Sequence, residues 1–316
     1  MIPEQAAKRT HVRVLGAALA LIGAIILLMP IPALATDPQT FATPEDAAKA
    51  LLDAAASDDL NAIWAVLGDE FRDKLENPDD AQERENRRRI VAGAKESLQL
   101  RADDENTRVM VIGKAAWPMP IPIVKGDKGW SFDVGAGADE ILARRIGANE
   151  LAAISNLRAY VDAQVQYASE DRDGDSVLEY AQKINSTPGK MDGLYWEVAA
   201  GSGDEASPFG PFVAEKAAYL SDHDSGDPFM GYYYRIITRQ GDNAPGGRYD
   251  YVINGNMIGG FAMIAWPADY ANSGVMTFVV NQQGKVYQKD LGEKTEVNAA
   301  AIQEYNPDSS WTEVKD

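Results

Sequence analysis

The sequence predicts an α+β chain: N-terminal helices plus a small curved antiparallel sheet, then a long helix packed on a second antiparallel sheet. Three observations point there. Apolar residues recur every three or four positions through much of residues 44–100 and again through 146–168. Residues 231–290 switch to short β-branched and aromatic runs punctuated by Gly-containing turns. The 316 residues are 45% hydrophobic and 25% charged, which is globular composition, and the length suits two folded modules better than one.

Residues 1–35 read as a cleaved signal peptide. Lys8, Arg9 and Arg13 precede an apolar run over 14–28, and Ala33-Leu34-Ala35 offers small-x-small cleavage chemistry. The run is short for a span, and no second one follows, so no stable membrane span is expected once the leader is removed. The chain has no cysteine, hence no disulfide and no lipid attachment through a thiol. Export without cysteines fits the periplasm, with secretion as the alternative.

The N-terminal module is expected over 36–145. Thr43-Pro44-Glu45 is a helix start, with Thr43 as cap and Pro44 in the first turn. A second helix runs from Asp59 to a stop at Gly68, and a charged helix covers 81–100 after the turn at Asn77-Pro78. Strands follow at 108–112, 117–124 and 130–134, the last two joined as a hairpin through 125–129. Pro118, Pro120 and Pro122 place the middle strand at an edge. Helices followed by a small curved sheet resemble the cone-shaped nuclear-transport-factor-2-like domains. In that fold the cone often holds a ligand, which Trp64, Trp117 and Trp130 would line unless they simply pack in the core.

The second module is expected over 146–316. Gly147 ends any earlier helix, Asn149 starts the long one, and Leu151, Ile154, Leu157, Val161, Val165 and Ala168 form its apolar seam. Asn156 and Gln164 fall on the wetter side. Strands are expected at 231–238, 249–253, 256–266, 275–280 and 285–290, with Asn254-Gly255 as a hairpin turn. The run ANELAAISNLRAYVDAQVQY, then GYYYRI, WPADY and SGVMTFVVNQQGKVY, is similar to the globular part of type IV pilins and pseudopilins, in which a helix lies across an antiparallel sheet. The leader departs from that family. Around Gly16 no glutamate stands where a prepilin has one, which argues against a filament subunit. The segments EDRDGDSVLEYAQKINSTPGKMDGLYW and RQGDNAPGGRYDYVINGNMIGGFAMIAWPADY resemble the bacterial exported family called domain of unknown function 2950, which implies no particular activity.

The sharpest chemical signal is Asp171, Asp173, Asp175, the carbonyl of Val177, and Glu179. Alternating carboxylates in a tight loop suit calcium, a hard cation that takes six to eight oxygens. Ser176 and Gln182 depart from the usual calcium-hand pattern, so the expected Ca2+ site is non-standard, and a solvated acidic turn is the other reading. Three aspartates at a helix carboxyl end repel one another and the dipole, which favours a cation there.

Asp222, His223, Asp224 and Asp227 are a further metal or acid–base candidate. Ser225 beside His223 cannot complete a triad. The net charge of −18 opposes nucleic-acid binding. The expected function is therefore a non-enzymatic periplasmic cell-envelope protein, an interaction or scaffold module with a calcium-stabilised loop and envelope-protein partners. The alternatives are a hydrolase or carbohydrate-acting enzyme using Asp222 and Asp227 with Tyr232 to Tyr234, or a small-ligand carrier.

Overall fold

The computed structural model describes residues 35–172, 174–198, 205–215 and 227–315. The expected leader, apart from Ala35, lies outside the described residues. Helix α1 (Pro44–Ala56) begins as its sequence dictates: the Thr43 hydroxyl oxygen accepts the Asp46 N–H at 3.1 Å, and Pro44 takes the first position. Helix α2 (Leu60–Leu67) is capped by Asp59 and stops at Gly68. There φ is +77°, and the backbone of Thr36 and Pro38 occupies the space a Cβ would need.

Beyond the short α3 (Arg72–Leu75), α4 (Asp80–Glu96) is capped by Asp79 and ends earlier than the periodicity suggested. Ser97 leaves the helix, and β1 (Leu98–Ala102) pairs antiparallel with β2 (Thr107–Ile112), Leu98 opposite Ile112 and Ala102 opposite Arg108. The period of two in Leu98, Gln99, Leu100 and Arg101 overrides the helical reading of 98–100.

The proline-rich strand expected over 117–124 is two pieces. β3 (Trp117–Pro118) and β4 (Ile123–Gly126) lie along the same side of β2, and β4 is interior, between β2 and β5 (Gly129–Phe132). Only β3 is an edge piece; the missing donors of Pro120 and Pro122 fall in the break between them. The outer side of β5 is covered by Phe41, which exchanges two 2.8 Å backbone bonds with Trp130. The outer side of β1 pairs with no described strand. Helices α1 and α2 and the sheet enclose a first core of Ala47, Leu51, Val66, Met110, Ile123 and Phe132.

The spine of the molecule is α5 (Val134–Tyr167). It starts at the Asp133 cap, well before the expected position, and continues through Gly147 without a break. Its first turns give Val134 and Ala138 to the first core, and its later turns give Ala153, Leu157, Tyr160, Ala163 and Tyr167 to a second. The buried face is rotated from the expected seam. Leu157 is buried and Ile154 and Val161 pack at the margin, but Leu151 and Val165 are 70% and 59% exposed. Asn156 and Gln164 are buried instead.

Hydrogen bonding explains the rotation. The Gln164 side chain accepts the Ala181 N–H and donates to the Ala181 carbonyl, both at 2.8 Å, and Asn156 Nδ2 donates to the Tyr234 hydroxyl at 2.8 Å. A polar group so paired loses little on burial.

After α6 (Gly210–Glu215) comes β6 (Tyr232–Ile237). The chain then leaves the main sheet in two small ladders. The first is β7 (Arg239–Gln240) with β8 (Tyr249–Asp250), and the second is β9 (Val252–Ile253) with β10 (Asn256–Met257). The second turns through Asn254 and Gly255 at φ +55° and +98°, as an Asn-Gly hairpin requires.

It returns as β11 (Ala262–Pro267), β12 (Met276–Asn281) and β13 (Tyr287–Asp290), followed by α7 (Thr295–Ala301) and β14 (Thr312–Glu313). The main sheet is antiparallel throughout, in the order β14-β13-β12-β11-β6. Its fifth strand is therefore the C-terminal one, and the expected strand at 249–253 belongs to the excursion. Helix α5 lies on the face that carries Tyr234, and α7 covers the other, where Arg235 Nη2 donates to the Ala299 and Ile302 carbonyls at the end of that helix. The described residues from Ala35 onward form one compact unit with two cores.

A buried polar seam ties the cores together. Asn149 accepts from Gln82 Nε2 at 2.7 Å and donates to the Ser273 carbonyl at 2.8 Å. Asp79 accepts the Gln82 N–H with one oxygen and the Gly231 N–H with the other, at 2.8 and 3.0 Å. Alongside, Arg145 donates to the Leu75 and Glu76 carbonyls and to Asn272 Oδ1. Burial pulls its pKa down from the ordinary arginine value, partly offset by Glu83 and Asp269.

Candidate functional site

Two features stand out once the chain is folded: the acidic loop foreseen from the sequence, and an open edge that was not. The loop follows the carboxyl end of α5. Asp171 holds its turn, accepting the Gly174 N–H on Oδ1 at 2.8 Å and the Ser176 N–H on Oδ2 at 2.9 Å. Asp175 accepts the Val177 N–H at 2.7 Å and, on its other oxygen, Asn256 Nδ2 at 2.6 Å. Glu179 accepts the Met257 N–H at 2.9 Å, while Tyr180 N–H bonds the Met257 carbonyl. The acidic residues thus dock this loop on the β9–β10 hairpin.

Among the described residues no three carboxylate or imidazole side chains converge as a metal-binding group. Asp173, the central member of the expected set, lies outside the described residues, as do Asp222, His223, Asp224 and Ser225. Asp227 is described and exposed.

The electrostatic conflict at the end of α5 has a partner within the same run. Arg172 donates from Nε to the Tyr167 carbonyl at 3.1 Å and from Nη1 to Glu205 Oε1 at 2.7 Å. Its guanidinium lies 5.4 and 5.3 Å from the rings of Tyr167 and Trp196, with the side chain 3% exposed. A buried cation at a helix carboxyl end is the arrangement the dipole favours.

The tyrosines at 232–234 do not share one open face, since Tyr233 alternates to the other side of β6 beside Trp266. Tyr232 and Tyr234 are packed into the second core, and burial raises both hydroxyls well above the ordinary tyrosine range. The three N-terminal tryptophans do not line one cavity either. Trp130 is in the first core, Trp117 lies on the surface with the Arg144 guanidinium 4.9 Å from its ring, and Trp64 packs at the margin.

The second feature is a groove of about 550 Å³ between α1, α4 and β1. Its floor is apolar: Ala48, Leu52, Val91, Ala94, Leu98 and Leu100. Its rim carries Glu45 and Asp53 against Lys49 and Lys95. Leu98 and Leu100 of β1 line one side of the groove. The register fixes which way the backbone of β1 points: Asp103 donates to the Thr107 carbonyl and Gly113 to the Ser97 carbonyl, so odd-numbered residues bond β2. The N–H and C=O groups of Leu98, Leu100 and Ala102 face outward.

Reading 81–100 as one helix concealed this strand. The signal that would have found it is the alternation of Leu98 and Leu100 with Gln99 and Arg101 beyond Ser97.

No helix among the described residues is long and apolar enough to cross a membrane. No curated protein and no solved structure matches the chain. A family model described as "Protein of unknown function (DUF2950)" matches residues 38–314, nearly the whole folded unit. The chain therefore belongs to the DUF2950 family.

Proposed function

We propose that the protein is a non-enzymatic interaction module of the bacterial cell envelope, exported to the periplasm, whose docking surface is the free edge of β1 with the groove beside it. The observation that carries this reading is the coincidence of two unfinished structures at one place. Leu98 and Leu100 line an apolar groove of about 550 Å³, and the outward edge of the same strand pairs with no strand among the described residues. Edge strands are commonly blunted by proline, by inward-pointing charge or by a bulge. The five residues of β1 include no proline and turn Leu98, Leu100 and Ala102 toward the groove side. An added strand would complete the ladder and bury the groove floor in one step.

A photo-crosslinking side chain at position 98, in cells expressing the full-length sequence, is expected to capture protein at the envelope. The same group at Val297, which is 68% exposed on α7, is the control. Equal capture from both positions, or none from 98, would refute the assignment.

Calcium at the acidic loop belongs to the same proposal, as a stabiliser of the loop rather than a reagent. Asp171 and Asp175 would offer hard oxygens in a turn their own hydrogen bonds already shape, and Glu179 a further one beside the β9–β10 hairpin, with the sequence adding Asp173 and the Val177 carbonyl. A thermal melt in calcium against chelator tests it. Calcium a hundredfold above its dissociation constant stabilises by about 2.7 kcal/mol. An unchanged melting temperature at millimolar calcium would remove the ion.

A further inference from the structure

We infer that the occupant of the β1 edge is a second copy of this chain, paired β1 to β1 about a two-fold axis at Leu100. The inference rests on the docking surface proposed above and names its partner.

The backbone limits how two such edges can meet. With Leu98, Leu100 and Ala102 presenting their donors and acceptors outward, an antiparallel pair exchanges bonds only between these positions. Three symmetric registers result, centred at residues 99, 100 or 101. The one centred at 101 sets Arg101 directly against Arg101 of the partner subunit, and like charges placed directly opposite destabilise a sheet. The one centred at 99 leaves Ala102 without a partner position inside the strand.

Centring at 100 uses the whole strand. Leu98 faces Ala102 of the partner subunit, Leu100 faces Leu100 of the partner subunit, and Gln99 faces Arg101 of the partner subunit. The groove side is then apolar against apolar throughout, and the other side pairs an amide with a guanidinium. About six backbone hydrogen bonds form, two for each directly bonded pair.

Charge supports a like partner at this place. The chain carries a net −18, which opposes self-association over most of its surface. The groove rim is balanced, Glu45 and Asp53 against Lys49 and Lys95, so two identical rims meet without excess of either sign. The two-fold also makes the contact close on itself, whereas a heterologous edge contact would propagate. Stable interfaces bury about 1,200–2,000 Å² in all, and smaller contacts are weak or transient, so a contact built on two five-residue strands is a weak dimer.

The absence of cysteine makes the register directly testable. Directly bonded strand partners lie about 5.5 Å apart at Cα, within disulfide reach. Under mild oxidation Leu100→Cys is expected to shift to twice the monomer mass. Gln99→Cys and Arg101→Cys alone are expected to stay uncrosslinked, and their equimolar mixture to form the crosslinked dimer. The latter two side chains lie on the face away from the groove, so their result stands even if Leu100→Cys perturbs the core.

Unmodified protein is expected to sediment as a concentration-dependent monomer–dimer mixture, and Ala102→Lys to lose the dimer. Monomer at every soluble concentration, or equal crosslinking at 99, 100 and 101, would overturn the self-pairing. Capture of other envelope proteins from position 98 by a monomeric chain would leave the proposed docking role intact. No capture at all from 98 would end both.

Discussion

Gln164 shows how much a single side chain decides. Sequence periodicity places it on the wet side of the long helix, yet it is fully buried and bonds both the backbone N–H and the backbone C=O of Ala181. Leu151, assigned to the seam, stands in solvent. The amphipathic pattern revealed that a helix exists but not its rotation, because a buried amide with satisfied donors looks polar in sequence and behaves as core. Asn156 misled for the same reason, meeting Tyr234 from far along the chain, whereas Asn149, read as a helix start, lies inside α5 and is buried against Gln82 and Ser273. Gln164→Leu removes the partner of a buried N–H and a buried C=O and is expected to destabilise by about 2–3 kcal/mol in a urea titration. Leu151→Ala is expected to stay within about 0.5 kcal/mol of the parent, being a surface exchange between two good helix formers. The opposite ranking would return the helix to its sequence-predicted orientation.

Elements with local signatures were the legible ones. Thr43-Pro44 before α1, Asp59 and Gly68 around α2, and Asn254-Gly255 in the β9–β10 turn each carry their geometry within a few residues. Elements whose identity depends on a distant partner were not. α7 is anchored by Arg235 from across the sheet, whereas β1 pairs with its chain neighbour β2 and was missed because the helical reading ran past the alternation beyond Ser97. In the acidic loop the turn-forming aspartates were legible, but their engagement with Asn256 and Met257 was not, since those residues lie far along the chain.

Gly147 is the clearest misreading at this scale. A glycine ahead of a capping-type asparagine looks like a break, but the flanking tertiary contacts carry α5 straight through it. A Cβ at position 147 would meet open space. Gly147→Ala is therefore expected to raise stability by about 0.5–1 kcal/mol, the usual gain for removing glycine from a helix interior. A loss of stability would mean that the backbone there is not helical.

For the whole molecule, one helix serving two cores has a mechanical consequence. The first core and its open β1 edge are joined to the main sheet by covalent helix and by the seam of Asn77, Asp79, Gln82, Asn149 and Arg145. Under the proposed docking, α5, continuous from Val134 to Tyr167, is expected to couple a partner on the groove to the unit that holds the acidic loop. Amide hydrogen exchange across α5 tests this most directly. Slow exchange that continues without interruption from residue 139 through 160 is expected, since interior amides of one cooperative helix open only with the larger structure. Fast exchange confined to residues 145–150 would show two separately opening helices, and the rigid link between the docking edge and the second core would be gone.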